Sequence, residues 1–114
     1  MVAGENPEGD SMIKVSVFYP QKSGASFDMN YYLSKHMPMV KQKLGAACKA
    51  VSVEQGVAGG APDAPPAFVA MAHLTFESAD AFQKAFGPHA KEIMSDVPNY
   101  TKIEPVIQIS DIKM

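Results

Sequence analysis

The sequence predicts an α+β domain of element order βαββαβ, a four-stranded antiparallel sheet with two helices on one face. Three observations predict it. Four segments alternate apolar and polar residues as strands do, two segments repeat apolar residues at helical spacing behind a capping residue, and the chain divides into two halves of similar size. At 114 residues, 46 % hydrophobic and 19 % charged, it has the length of one core-forming domain and an ordinary folded composition.

The elements follow in order. MVAGENPEGDS, residues 1–11, carries Glu5, Glu8, Asp10 and two glycines without hydrophobic periodicity, so a disordered tail is expected before a domain over residues 12–114. MIKVSVFYP turns Ile13, Val15, Val17 and Tyr19 to one face and Lys14, Ser16 and Phe18 to the other. QKSGASF is a loop, and Asp28 is placed to cap a helix that runs to Gly45. CKAVSVEQGV is a β-rich segment, and AGGAPDAPPA, with two glycines and three prolines, is a loop. FVAMAHLTF is a third strand. The second helix starts at ESADAFQKAF, with Ser78 as cap and Asp80 in the first turn, and is interrupted at Gly87-Pro88 before HAKEIMSD. TKIEPVIQIS alternates again as the last strand. A split βαβ order of this kind is the ferredoxin-like arrangement.

The second sheet face reads Lys14, Ser16, Phe18; Ser52, Glu54; Val69, Met71, His73, Thr75; Lys102, Glu104, Val106, Gln108. It is neither cleanly polar nor cleanly apolar. Such a face is expected to cover itself against a second copy, giving a homodimer with a lined cavity at the pairing.

Charge narrows the partners. Net charge is −2, the pI is about 5.8, and every basic residue is lysine. A phosphate backbone finds no basic stripe, so no nucleic-acid partner is expected. Without arginine there is no two-pronged clamp for nucleotides or strongly anionic substrates. Cys48 is the one cysteine, which excludes an internal disulfide and a thiolate cluster; it reads as a small packed side chain. The start lacks the basic and apolar regions of a signal peptide, and no apolar run reaches the ~18 residues of a membrane span. A cytoplasmic protein with no membrane partner is expected.

The first helix carries the chemistry. Tyr32, His36 and Val40 stand four apart, with Leu33, Met37 and Leu44 beside them, while Lys35, Lys41 and Lys43 take the other side. His36 therefore lies on the apolar stripe, as a core histidine or as a site residue. Pro38 lacks the N–H that would bond to Ser34; it either kinks the helix, aiming the His36 turn, or starts a new one. A second element is SDVPNYT, residues 95–101. Pro98 and Asn99 suit a turn, Asp96 could orient a histidine for acid–base work, and Tyr100 suits the rim of an organic pocket. His36, His73 and His89 show no HxH, HExxH or CxxC spacing, so neither metal nor cofactor is expected.

YYLSKHMPMV, LTFESADAF and DVPNYT, in that order from about Met12 to the end, resemble the EthD family. The resemblance implies a ferredoxin-like fold that pairs into a dimeric α/β barrel. It also implies an association with bacterial breakdown of organic compounds, since the founding member accompanies a cytochrome P450 system that degrades a fuel ether. Similar barrels include muconolactone-type isomerases, polyketide cyclases, cofactor-free monooxygenases and haem-degrading enzymes. The family histidine falls on His36 and its acidic turn on Asp96. The expectation is an enzyme of oxidoreductase or isomerase/cyclase type acting on a small hydrophobic organic compound. His36 would be general acid or base, oriented by Asp96; Tyr32 and Tyr100 would hold the substrate oxygen, and Met71 and His73 would line the cavity. The alternative is a non-catalytic module that holds or delivers the compound to an oxygenase system.

Overall fold

Alternation decides which face of the sheet carries the core. In β1 (Ile13–Pro20) of the computed structural model, which describes residues 12–114, Ile13, Val15 and Tyr19 are buried. The tail expected over residues 1–11 lies outside the described residues. Two further strands, β2 (Ala50–Gln55) and β3 (Phe68–Phe76), pair antiparallel, and β3 buries Ala70, Ala72, Leu74 and Phe76 on the same side. With β4 (Val106–Asp111) the order across the sheet is β2-β3-β1-β4, every neighbour antiparallel, which is the expected ferredoxin-like topology. Both helical segments pack on the side bearing Val15, Tyr19 and Leu74. Each large apolar side chain buried there contributes about 1.5–3 kcal/mol, so this side holds the core.

The first helical segment is continuous but not uniform. Asp28 caps it, its carboxylate accepting from the Tyr31 N–H at 3.0 Å. The path runs α1 (Met29–Tyr31), a π turn (Tyr32–His36), then α2 (Met37–Leu44), and Gly45 ends it at φ 63°. Pro38 was expected to kink or restart the helix. The structure answers with the π turn: Met37 N–H reaches back five residues to the Tyr32 carbonyl, which opens the backbone just ahead of the proline that cannot donate. Tyr32, His36, Met37, Val40 and Leu44 all face inward.

In the second segment Ser78 accepts from Ala81 N–H at 3.0 Å. α3 (Ala79–Phe86), a tight turn Gly87–His89, α4 (Ala90–Ser95) and a second tight turn Val97–Asn99 follow, so Gly87-Pro88 does split the helix. The last strand departs from expectation, beginning at Val106 rather than Thr101. Thr101 is engaged elsewhere, donating to the Ser26 carbonyl at 2.8 Å and accepting from Ile103 N–H at 3.1 Å, and Pro105 has no N–H for a ladder. Lys102 and Glu104 therefore do not belong to the open sheet face. On that face Ser16 lies opposite His73 and Gln108, and Phe18 opposite Met71 and Val106. Among the described residues no helix is long and apolar enough to cross a membrane.

Candidate functional site

The π turn and the turn after α4 come from opposite halves of the chain and meet over the sheet. His36 Nδ1 lies 2.9 Å from Asp96 Oδ2. Asp96 Oδ1 accepts from Tyr31 Oη at 2.8 Å and from Asn99 Nδ2 at 2.9 Å. On the other side of the imidazole, Nε2 lies 3.4 Å from Tyr100 Oη, which is 2.6 Å from Tyr19 Oη. Tyr32 stacks on His36 at 5.3 Å and 14°, and Tyr100 leans on it at 4.7 Å. Contacts between aromatic rings are worth ~0.5–1.5 kcal/mol each beyond area, enough to hold the ring in one orientation.

Electrostatics fixes the protonation states. Burial pushes the His36 pKa below its ordinary 6.5, against an upward pull from Asp96, so the ring is neutral at neutral pH. Burial raises the Asp96 carboxyl, but hydrogen bonds from Asn99, His36 and Tyr31 outweigh it, leaving the group below its ordinary 3.8 and ionised. A neutral ring beside a carboxylate places its proton on Nδ1 and leaves Nε2 as acceptor. Burial drives the phenols of Tyr19, Tyr32 and Tyr100 well above the usual tyrosine range, so they stay protonated. The proton between Tyr100 and Nε2 can then only come from Tyr100, which in turn accepts from Tyr19. A donor chain runs from Tyr19 through Tyr100 and His36 to Asp96.

That chain forms one end of a cavity of about 60 Å³ between helices and sheet. On this measure one water needs roughly 10–15 Å³, so the cavity has room for several waters or a small organic group. Its polar side chains are His36, Tyr19, Tyr32 and Tyr100; Val15, Val17, Val40, Leu44, Ala72, Leu74, Phe82 and Phe86 supply most of the rest. Met94 and Ile107, both exposed, mark where it meets solvent. An acceptor nitrogen in apolar walls, backed by a carboxylate, can take a proton from a weak acid.

Of the residues singled out in sequence, the structure brings together His36, Asp96, Tyr32 and Tyr100. It does not bring Met71 or His73 to them. Those two lie on the opposite sheet face, where His73 Nδ1 is 2.8 Å from Ser16 Oγ and Nε2 is 3.4 Å from Glu54 Oε1. His89 sits in the tight turn between α3 and α4. Among the described residues no three His, Cys, Asp or Glu side chains stand together as a metal site. Sequence reasoning missed Tyr31 and Tyr19. Tyr19 was legible as an inward residue, but nothing in strand spacing says its hydroxyl reaches Tyr100; Tyr31 stands one residue off the apolar stripe, where spacing carries no signal.

Residues 22–104 match the EthD domain. An EthD-like protein from Ralstonia eutropha JMP134 is 51 % identical, with 92 % of this chain and 95 % of that one covered at TM-score 0.88. A hydroxynitrile lyase from Passiflora edulis superposes at TM-score 0.65 with 18 % identity, covering 91 % of this chain and 95 % of that one. SnoaB, a cofactor-independent oxygenase from Streptomyces nogalater, superposes at 0.58 with 9 % identity, covering 92 % and 95 %. The last two likenesses are of fold alone. No match was found among curated proteins.

Proposed function

The chain belongs to the EthD family, and from that premise we propose that it binds a small, mostly apolar organic compound bearing oxygen and moves a proton on it with His36. The observation that carries this is the buried His36, which lines an apolar cavity with Nδ1 2.9 Å from Asp96 Oδ2 and Nε2 3.4 Å from Tyr100 Oη. The ligand's oxygen accepts a hydrogen bond from the Tyr100 hydroxyl, which keeps its proton, while Nε2 takes an acidic proton from the ligand. The bond from that proton to carbon or oxygen breaks, its electron pair stays on the ligand as an enolate or phenolate, and Asp96 stabilises the imidazolium. Tyr32 holds the ring in plane by stacking. The lyase and the oxygenase that share the fold are named for different reactions, so the fold leaves the reaction open and the site carries the argument.

The second reading is a non-catalytic module that holds or delivers the compound to an oxygenase system in the degradation of organic compounds. The observation in its favour is that Tyr100 already stands at Nε2, which suits recognition of an oxygen without chemistry. In either reading the half-buried Phe18, Val69, Met71 and His73 are covered by a second copy, making a homodimer. His36→Asn separates a site from a core histidine. Thermal melting and binding of a panel of small phenols, lactones and ethers are measured on the same sample. Retained folding with lost binding or turnover supports the site; a large fall in melting temperature with binding intact removes it.

A further inference from the structure

Asp96 has a second side. Its Oδ1 is occupied by Tyr31 Oη and Asn99 Nδ2, which themselves lie 3.4 Å apart, so Oδ2 is the oxygen left for His36. These groups, with Lys35, Met39, Glu92 and Ser95, wall a polar surface cleft of about 380 Å³. No residue lines both this cleft and the apolar cavity, and the His36–Asp96 bond crosses the wall between them. The Asp96 side chain is 18 % exposed and that of His36 only 5 %.

We propose that this cleft is the proton outlet of the site, and that Tyr31 is a positioning residue that holds the Asp96 carboxylate toward Nδ1. The inference rests on the reading that His36 accepts a proton from a ligand. That proton bonds to Nε2 as its bond to the ligand breaks. The Nδ1–H bond then breaks, its proton passing to Asp96 and on to water in the cleft, while the electron pair stays on Nδ1. The ring is left neutral, and the reverse path returns a proton to product. With a ligand in the cavity, the phenols there are buried and stay protonated and the remaining wall is apolar, so the cleft is the polar route from the ring to solvent. Exchange with solvent thus proceeds through the cleft while the ligand is in place. Fixing Oδ1 matters because a carboxylate free to turn to water would leave Nδ1 without an acceptor, and the ring would lose its preferred tautomer.

The test uses the full chain, ¹⁵N-labelled, with no ligand, and reads the His36 ring nitrogens and the Asp96 carboxyl titration by NMR. Tyr31→Phe removes one hydroxyl and keeps the ring that stacks on Tyr100. The wild type is expected to hold the Nδ1–H tautomer. In Tyr31→Phe the Asp96 midpoint moves up, because a donor to its ionised form is gone, an Nε2–H population appears, and Nδ1–H exchange with solvent, which runs through the positioned carboxylate, falls several-fold. Asn99→Ala, which removes the other donor, moves the same three readouts the same way and stands in if the first variant does not fold. Unchanged tautomer, midpoint and exchange would overturn the proposal. Because no ligand is used, that failure leaves the binding result for His36→Asn untouched, so the two claims fail separately.

Discussion

Replacing Asp96 with asparagine keeps the shape of the side chain and removes its charge. Three donors converge on the carboxylate: Tyr31 Oη at 2.8 Å, Asn99 Nδ2 at 2.9 Å and His36 Nδ1 at 2.9 Å. An amide offers one oxygen and one NH₂. With its oxygen toward His36, the NH₂ faces two donors. Turned the other way it keeps Tyr31 and Asn99, and His36 must present a bare Nδ1 and carry its proton on Nε2 instead. The second arrangement preserves more bonds and is the expected one. Hydrogen bonds to a charged acceptor contribute ~1.5–3 kcal/mol against ~0.5–1.5 for neutral ones. Downgrading three, discounted for the partial exposure of Asp96, gives a loss of about 1–3 kcal/mol at neutral pH. At ~4–8 °C per kcal/mol for a small domain, melting falls by about 5–20 °C. The sign of the pH dependence is fixed too. Asp96 titrates below its ordinary 3.8 in the fold, so its contribution is present above that value and is lost as pH falls through the folded pKa. Melting followed by circular dichroism near neutral pH and in strong acid should show a gap that closes in acid. An equal gap at both, or none near neutrality, would refute the reasoning.

Three further outcomes are expected. His36 titrates below 6.5 in the fold, so the unfolded chain binds more protons as pH falls through that value; stability drops there and levels off below the folded pKa, and a urea series across about pH 7.5 to 5.5 should be flatter for His36→Asn. Ala72→Val adds two methyl groups to the cavity wall; the fold should persist at a cost of up to ~1–3 kcal/mol, while calorimetric binding of the small-compound panel is lost. Met71→Glu places a charge on the half-buried open sheet face, and sedimentation at micromolar concentration should shift from about twice 12.2 kDa toward one chain, with melting of the isolated chain little changed.

Much of this architecture was legible because strand and helix periods report burial directly. Val15 and Tyr19 on one face, Ser16 and Phe18 on the other, emerged from alternation alone, and the Asp28 and Ser78 caps from residue type. The start of β4 did not, because alternation in TKIEPVIQIS continues across a segment whose threonine is engaged with Ser26 and whose proline cannot pair. The π turn was hidden for a related reason: Pro38 announces a backbone conflict but not how the chain resolves it. At the site, His36 and Asp96 were found as separate signals, 60 residues apart, and only the fold shows Nδ1 and Oδ2 in contact. His73 and Met71 illustrate the opposite case. They lie on the open sheet face, as alternation predicts, whereas the cavity beside His36 lies on the other side of the sheet, under the helices.

The most direct measurement is a crystal structure with a bound member of the compound panel. The ligand is expected between helices and sheet, its oxygen within hydrogen-bonding distance of Tyr100 Oη or His36 Nε2, with the His36–Asp96 contact kept. A ligand seated instead on the open sheet face against Met71 and His73, with the cavity beside His36 unchanged, would contradict that expectation.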